Sequence, residues 1–292
     1  MRERINMTWA DWERAELDLS DVVYEKRTRL AGGRVARIMI NRPKSLNAFN
    51  DHTVSELQAA FDDASNDPMV GVVILSGAGD RAFCVGGDIK WEGVRTRAQF
   101  FMDDAPNRML RFCRKPIIAV VKGYAIGGGN HLAYSCDFTI AADNAVFGQN
   151  GPRIGSPADG YIVRYLTSVV GAKKAREIWM LCRKYNATEA LEMGLVNVVV
   201  PLEEADAEAD RWADEILSLN PTCIEILKAT FDSEIDEMAG TMRRFVSMMA
   251  PTFPLGPEVQ EAQKAFWEKR APDFWSLRAP DAEAAAPAPA AQ

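Results

Sequence analysis

The sequence predicts an α/β fold with a helical C-terminal region. Three observations carry that prediction. Short runs of β-branched residues recur along the first two thirds of the chain, the segment between the first two runs places apolar residues at helical spacing, and beyond about Tyr161 the pattern is mainly helical.

Taken in order, the first strand is "RVARIMIN" (34–41) and the second "VGVVILSG" (70–77). Between them Val54, Leu57, Phe61 and Ala64 recur at the spacing of one helix face. "PIIAVV" (116–121), "FTIAA" (138–142) and "NVVVP" (197–201) are three further strands, and continuous apolar runs of this kind suit sheets buried on both faces. "YIVRYLTSVVG" and "AKKAREIWMLCRKY" then read as helices, the second closing near Asn186. Thr188 is placed to cap the next short helix, "EALEMGL", with Glu189 in its first turn where the helix dipole favours an acid. "PLEEADAEADRWADEILSL" and the segments after Pro221 continue the helical trend. The organisation expected is an N-terminal extension (1–19), an α/β core (20–202), a helical region (203–278) and a disordered Ala/Pro-rich tail (279–292) that lacks core-forming residues.

Composition narrows the function classes. The chain has 292 residues, 48% hydrophobic and 26% charged, enough for a sizeable core. Its net charge of −7, with no stripe of Lys or Arg, excludes the electrostatic footprint of a nucleic-acid binder but leaves room for a basic pocket holding a small anion. Five cysteines lie far apart in apolar contexts, with no CxxC pair and no histidine at ligand spacing, so they read as core thiols in a reducing cytoplasm and no metal site is expected. Met1 to Ser20 carries charges where a secretory signal needs an apolar block, and no apolar run approaches the roughly 18 residues needed to span a bilayer. A soluble cytoplasmic protein without membrane contact is the expectation.

One stretch carries chemistry: "GYAIGGGNHL" (123–132), where three consecutive glycines follow a strand and precede one of the chain's two histidines. Glycines at a strand-to-helix junction leave bare amide N–H groups at a helix N-terminus, where peptide dipoles favour negative charge. By itself such a run is also what a tight turn packing a helix on a sheet requires. A second glycine pair, in "RAFCVGGDIKW" (81–91), follows another strand about forty residues earlier, and the two strand ends could converge to offer two amide donors to one carbonyl oxygen.

With these pieces, "INRPKSLNAFN" (40–50), "AFCVGGDIK" (82–90), "KPIIAVVKGYAIGGGNHLAYSCDFTIAADNAVFGQNGPRIGS" (115–156) and "GAKKAREIWMLCRKYNATEALEMGLVNVVVP" (171–201), the chain resembles the crotonase (enoyl-CoA hydratase/isomerase) superfamily over about residues 20–278. The resemblance implies a spiral of ββα turns, a C-terminal region that forms trimers often paired into hexamers, a CoA thioester as substrate and no tightly bound cofactor. It assigns the oxyanion hole to the backbone N–H groups of Gly87 and Gly128. Hydratases of the superfamily use two glutamates, and the corresponding positions here are His131 and Gly151.

The 140–200 region, with the ending "AFWEKRAPDF" (265–274), most resembles 2-ketocyclohexanecarboxyl-CoA hydrolase and 1,4-dihydroxy-2-naphthoyl-CoA synthase. Where both groups carry an Asp two residues after "GS", this chain has Ala158, and Asp159 follows, the position at which dienoyl-CoA isomerases keep a catalytic Asp. The tyrosine those two groups use has no match in "RRFVSMMAPTFPLGPEV" (243–259).

The candidate residues follow. Asp159, in a segment that also suits a turn, takes a general acid/base role from the resemblance. His131, in the first turn of its helix, is expected as a neutral imidazole able to take or give a proton near neutral pH, the alternative being a core or subunit-contact histidine. Gln149, with Asn150, is a candidate for binding a carboxylate or water, or a pair that steadies a loop. Trp91 and Tyr161 are candidate walls of an acyl pocket, or core. Val85, Asp88 and Ile89 flank the first glycine pair, and Lys44, Ala48 and Lys269 or Arg270 are candidates for the CoA phosphates and adenine. The activity expected is hydrolytic ring cleavage of a cyclic β-oxoacyl-CoA. The alternatives are enoyl- or dienoyl-CoA isomerisation, atypical hydration, synthase-like ring closure, and CoA binding without catalysis.

Overall fold

The computed structural model describes residues 9–88, 105–156, 161–249 and 252–278. Asp159, Ile89 and Trp91, and the 279–292 tail, lie outside the described residues.

The chain opens with a short strand β1 (Glu13–Arg14), followed by β2 (Val22–Thr28) and β3 (Arg34–Ile40) in an antiparallel meander. Helix α1 (Asp51–Asn66) starts at a capping box in which the Asn50 side chain accepts from Thr53 N–H and Thr53 answers to the Asn50 amide. Val54, Leu57, Phe61 and Ala64 form its buried face, as their spacing requires. Then come β4 (Val70–Gly77), β5 (Ala82–Cys84), α2 (Ala105–Phe112), β6 (Ile117–Val121), β7 (Tyr124–Ile126), α3 (Gly128–Ser135), β8 (Phe138–Ala142), β9 (Val146–Gly148) and the single turn α4 (Gly151–Ile154). The helical part comprises α5 (Tyr161–Val170), α6 (Ala172–Leu181), strand β10 (Lys184–Asn186), α7 (Ala187–Glu192), strand β11 (Val198–Val200), α8 (Ala205–Leu217), α9 (Pro221–Met249) and α10 (Pro257–Trp267).

The strands form two sheets: seven strands ordered β1-β2-β3-β4-β6-β8-β11, and four ordered β10-β9-β7-β5. Three strands of the first sheet are each followed by a three-residue strand of the second, so the chain winds between two layers as repeated ββ units: β4 to β5, β6 to β7, β8 to β9. The main core lies between the inner face of the large sheet, the second sheet, α1 and α3. A second cluster covers the outer face of the large sheet, where Ala205, Ala209 and Ala213 of α8 pack on Val35, Val72, Ile118 and Ile140.

Two boundaries differ from the sequence expectation. Helix α6 stops at Leu181, because Cys182 turns left-handed (φ 49°) and Lys184–Asn186 pair with β9 instead. The following helix is capped by Asn186, not Thr188: the Asn186 side chain accepts from Glu189 N–H at 2.9 Å and the Glu189 carboxylate accepts from Asn186 N–H at 2.8 Å, a reciprocal pair that Thr188 is too late in sequence to make. Of the five cysteines, four are buried and Cys223 is exposed. The stretch expected as an extension is packed from residue 9: Arg27 is sandwiched between the rings of Trp9 and Trp12, 4.4 and 4.3 Å from their centroids. Among the described residues no helix is long and apolar enough to cross a membrane.

Helix α9 is tied to the large sheet by a buried cation. Lys228 reaches Asp137 at 2.7 Å and Asp232 at 3.5 Å, and Asp137 also accepts from Ile117 N–H at 2.8 Å. Removing the ammonium leaves two carboxylates without their partner in a desolvated place. Lys228→Ala is therefore expected to cost about 3–5 kcal/mol in urea unfolding, and a loss below about 1 kcal/mol would remove this pair as the tie between α9 and the sheet.

Candidate active site

The site follows from one strand pairing. Strands β5 and β7 are parallel neighbours, with Ala82 opposite Tyr124 and Cys84 opposite Ala125, so the segments leaving them, Val85–Asp88 and Gly127–Gly129, exit the same edge side by side. The first segment is held from its far side by Phe49, whose N–H donates to Gly86 O at 2.9 Å and whose carbonyl accepts from Asp88 N–H at 2.8 Å. In a parallel bridge those two bonds skip the central residue, so the Gly87 amide turns away from Phe49. Gly128 is the first residue of α3, one of the positions whose N–H has no intrahelical acceptor. Among the described residues neither amide has a protein partner, and both residues line one cavity of about 860 Å³.

Each of the three consecutive glycines answers to a separate constraint. Gly127 has φ +56°, where a side chain is strained. A Cβ on Gly128 would stand 2.7 Å from Phe49 Cζ and 3.0 Å from Gly86 Cα, and a Cβ on Gly129 would fall 1.9 Å from the Cys84 carbonyl oxygen. The glycines thus let α3 start against the end of β5, which brings the two amide-bearing turns together.

The other walls come from distant parts of the chain. Arg42 steadies the loop before α1, donating to Ala48 O and pairing with Asp88 at 3.4 Å, while the buried Asn47 amide donates to Ala82 O at 2.7 Å. Ala48, Val85, Asp88 and Gln149 all line the cavity. Lys44 is exposed next to Ser45, which lines it. Lys269 is exposed just after Phe266 and Trp267, two half-exposed aromatics at the cavity wall. Arg270, the other C-terminal cation considered, is taken up by Glu261 and Glu268. Tyr161 is not among the lining residues: it packs with Ile162, Ile235 and Met238 between α5 and α9, because the α5 face that carries it turns toward the long helix. Trp179, Arg183, Phe266 and Trp267 line the cavity and were not singled out from the sequence; a tryptophan in the apolar register of "AREIWML" and an aromatic pair ending a helix were the signals present.

Deep in the cavity the polar groups are neutral. His131 is buried, its ring 5.2 Å from that of Trp179 and 5.9 Å from that of Tyr134, and its Nε2–H donates to Gln149 Oε1 at 3.2 Å. Burial pushes its pKa down to about 4, outweighing the opposing effect of the Gln149 bond. The imidazole is therefore neutral, as its place in the first turn predicts, but it is a much weaker base than a proton carrier working near pH 7 requires. Gly151, the other position where hydratases keep a glutamate, has no room for a side chain: its Cβ would lie 2.2 Å from the Ser156 carbonyl oxygen. Among the described residues, no cluster of three His, Cys, Asp or Glu side chains is placed to hold a metal ion.

Two amide donors on one cavity wall, one of them at a helix start, can stabilise an oxygen as it gains charge. His131 is expected to titrate at about 4 in an NMR pH series. Its unfolded form binds a proton near 6.5, so its contribution to stability is complete above 6.5 and is lost as pH falls toward 4. A midpoint near 6.5 in the folded protein would contradict the burial.

Comparison with known proteins agrees with this geometry. Residues 31–277 match the enoyl-CoA hydratase/isomerase family. An enoyl-CoA hydratase from Mycobacterium avium subsp. paratuberculosis K-10 superposes with a TM-score of 0.73 at 27% identity, covering 91% of this chain and 98% of its own. An enoyl-CoA hydratase/isomerase from Xanthobacter autotrophicus Py2 gives 0.68 at 31% identity, covering 91% and 96%. A methylmalonyl-CoA decarboxylase in complex with 2-nitronate-propionyl-CoA gives 0.76 at 27% identity, covering 88% and 98%. With the family's match spanning most of the chain and its glycine turns converging on one cavity, this protein belongs to the enoyl-CoA hydratase/isomerase family, the crotonase superfamily of acyl-CoA enzymes.

Proposed function

We propose that the protein holds a thioester enolate between the amides of Gly87 and Gly128, and that it hydrolytically opens a cyclic β-oxoacyl-CoA. The observation that carries this reading is an oxyanion-type donor pair without the hydratase carboxylates: a weakly basic His131 stands at one of those positions, and at the other Gly151 faces a carbonyl that excludes any side chain. An enolate released by breaking a C–C bond needs its oxygen held but needs no carboxylate to strip a proton from the α-carbon.

In the proposed reaction, water adds to the ring carbonyl carbon, Cβ, and its proton passes to a base. The resulting alkoxide re-forms a C=O bond as the Cα–Cβ electron pair moves to Cα and into the thioester carbonyl, whose oxygen is taken up by the two amides. Cβ leaves as a carboxyl group, Cα takes a proton, and one water is consumed in forming a ring-opened ω-carboxyacyl-CoA. The base is assigned to Asp159 from the sequence resemblance. Trp179, Phe266 and Trp267 supply apolar wall for the acyl group. The same resemblance supports a trimer or hexamer built through residues 203–278.

The likeness to methylmalonyl-CoA decarboxylase favours a second reading, loss of CO₂ from a malonyl-type thioester, which also yields an enolate without a carboxylate base. Mass spectrometry after incubation with 2-oxocyclohexanecarboxyl-CoA, methylmalonyl-CoA and crotonyl-CoA separates the two. Ring opening with gain of one water is expected from the first and no hydration of the third. Loss of CO₂ from the second alone would select the other reading, and turnover of crotonyl-CoA alone would sink both. Gly128→Ala, which drives a methyl group at Phe49 and Gly86, is expected to lower kcat/KM by about 10²–10³, and Asp159→Asn to lower kcat by about 10²–10⁴.

A further inference from the structure

Gln149 is 2% exposed and lines the cavity, and its Nε2 is buried with no hydrogen-bond partner among the described residues. The same is true of Trp179 Nε1, whose ring lies tilted against that of His131 with centroids 5.2 Å apart. Two buried donors without acceptors on one cavity wall are costly unless a ligand oxygen completes them. The amide oxygen of Gln149 can only accept, so the 3.2 Å contact places a proton on His131 Nε2. A glutamine amide has two orientations related by a half-turn. Opposite an N–H donor, one keeps the bond and the other sets N–H against N–H.

We infer that His131 is a positioning residue: by donating to Gln149 Oε1 it holds the amide with its NH₂ available to the ligand, so that the pocket selects acyl groups carrying a second acceptor oxygen, such as a 3-oxo group. This gives the histidine a task that its weak basicity does not hinder, and it rests on the thioester-binding part of the reading above, not on the ring-opening step. The groups packed against the imidazole, Tyr134, Trp179 and Gln149, are all uncharged.

Calorimetric titration with acetoacetyl-CoA and butyryl-CoA, which differ at the third carbon, reads this selection directly and needs no turnover. The native protein is expected to bind acetoacetyl-CoA about five- to tenfold more tightly. His131→Leu should reduce that preference to twofold or less, and His131→Gln, which restores an N–H donor, should recover most of it. The preference should stay constant between about pH 5.5 and 8, because His131 is neutral throughout that range. Equal affinities in the native protein, an undiminished preference in His131→Leu with native circular dichroism, or a preference that titrates near 6.5 would each overturn the inference. Failure to bind either thioester would remove the thioester reading and the inference together, whereas selective binding without ring opening would overturn the reaction alone.

Discussion

The constraint on which the site depends is the parallel pairing of two three-residue strands, β5 and β7. Neither strand has the length to be stable alone; each is held because the long strand before it, β4 or β6, is fixed in the large sheet. Once they pair, the chain leaves both at the same edge, and the amides of two turns separated by about forty residues become neighbours. The arrangement has little tolerance, since backbone meets backbone at Gly86 and Gly128, and at Gly129 and the Cys84 carbonyl. Rigid placement matters for the chemistry, because donors already aimed at a developing charge need no reorganisation when it forms.

The neutral interior of the cavity complements those donors. A carboxylate at the position of His131 would bring an acid able to move protons at the substrate's α- and β-carbons, which hydration uses. In its place stands an imidazole that burial keeps uncharged, bonded to an amide and packed against an indole. None of these three groups carries a charge to oppose the partial positive charge of the two amides and the start of α3.

Much of this was legible in the sequence, and the parts that were not share a physical cause. Strands β3, β4, β6 and β8 are runs of five to eight mainly β-branched or small apolar residues buried in a sheet, and such runs announce themselves. Strands β5, β7, β9 and β10 have three residues each, too few for any period to show, and they exist because a partner is presented to them. Asn186 escaped notice for the same reason: its capping box closes directly on the end of β10, in a stretch that reads as the tail of a helix. Trp12 and Trp9 lie among charges in sequence, and they became part of the structure through the guanidinium of Arg27, which itself pairs with Asp210 of α8.

By itself the sequence determined the α/β class, the buried face of α1, the helical C-terminal region and the two glycine turns, because each is written in local spacing and in residues whose backbone preferences are strong. Which walls close the cavity was decided by tertiary structure alone. Trp179, Phe266 and Trp267 came to the site while Tyr161 went to the core against α9, and His131 lost its basicity to burial. Contacts between residues far apart in the chain, and the removal of water they bring, have no local signature, so a side chain's neighbours and its proton affinity are settled only when the layers pack.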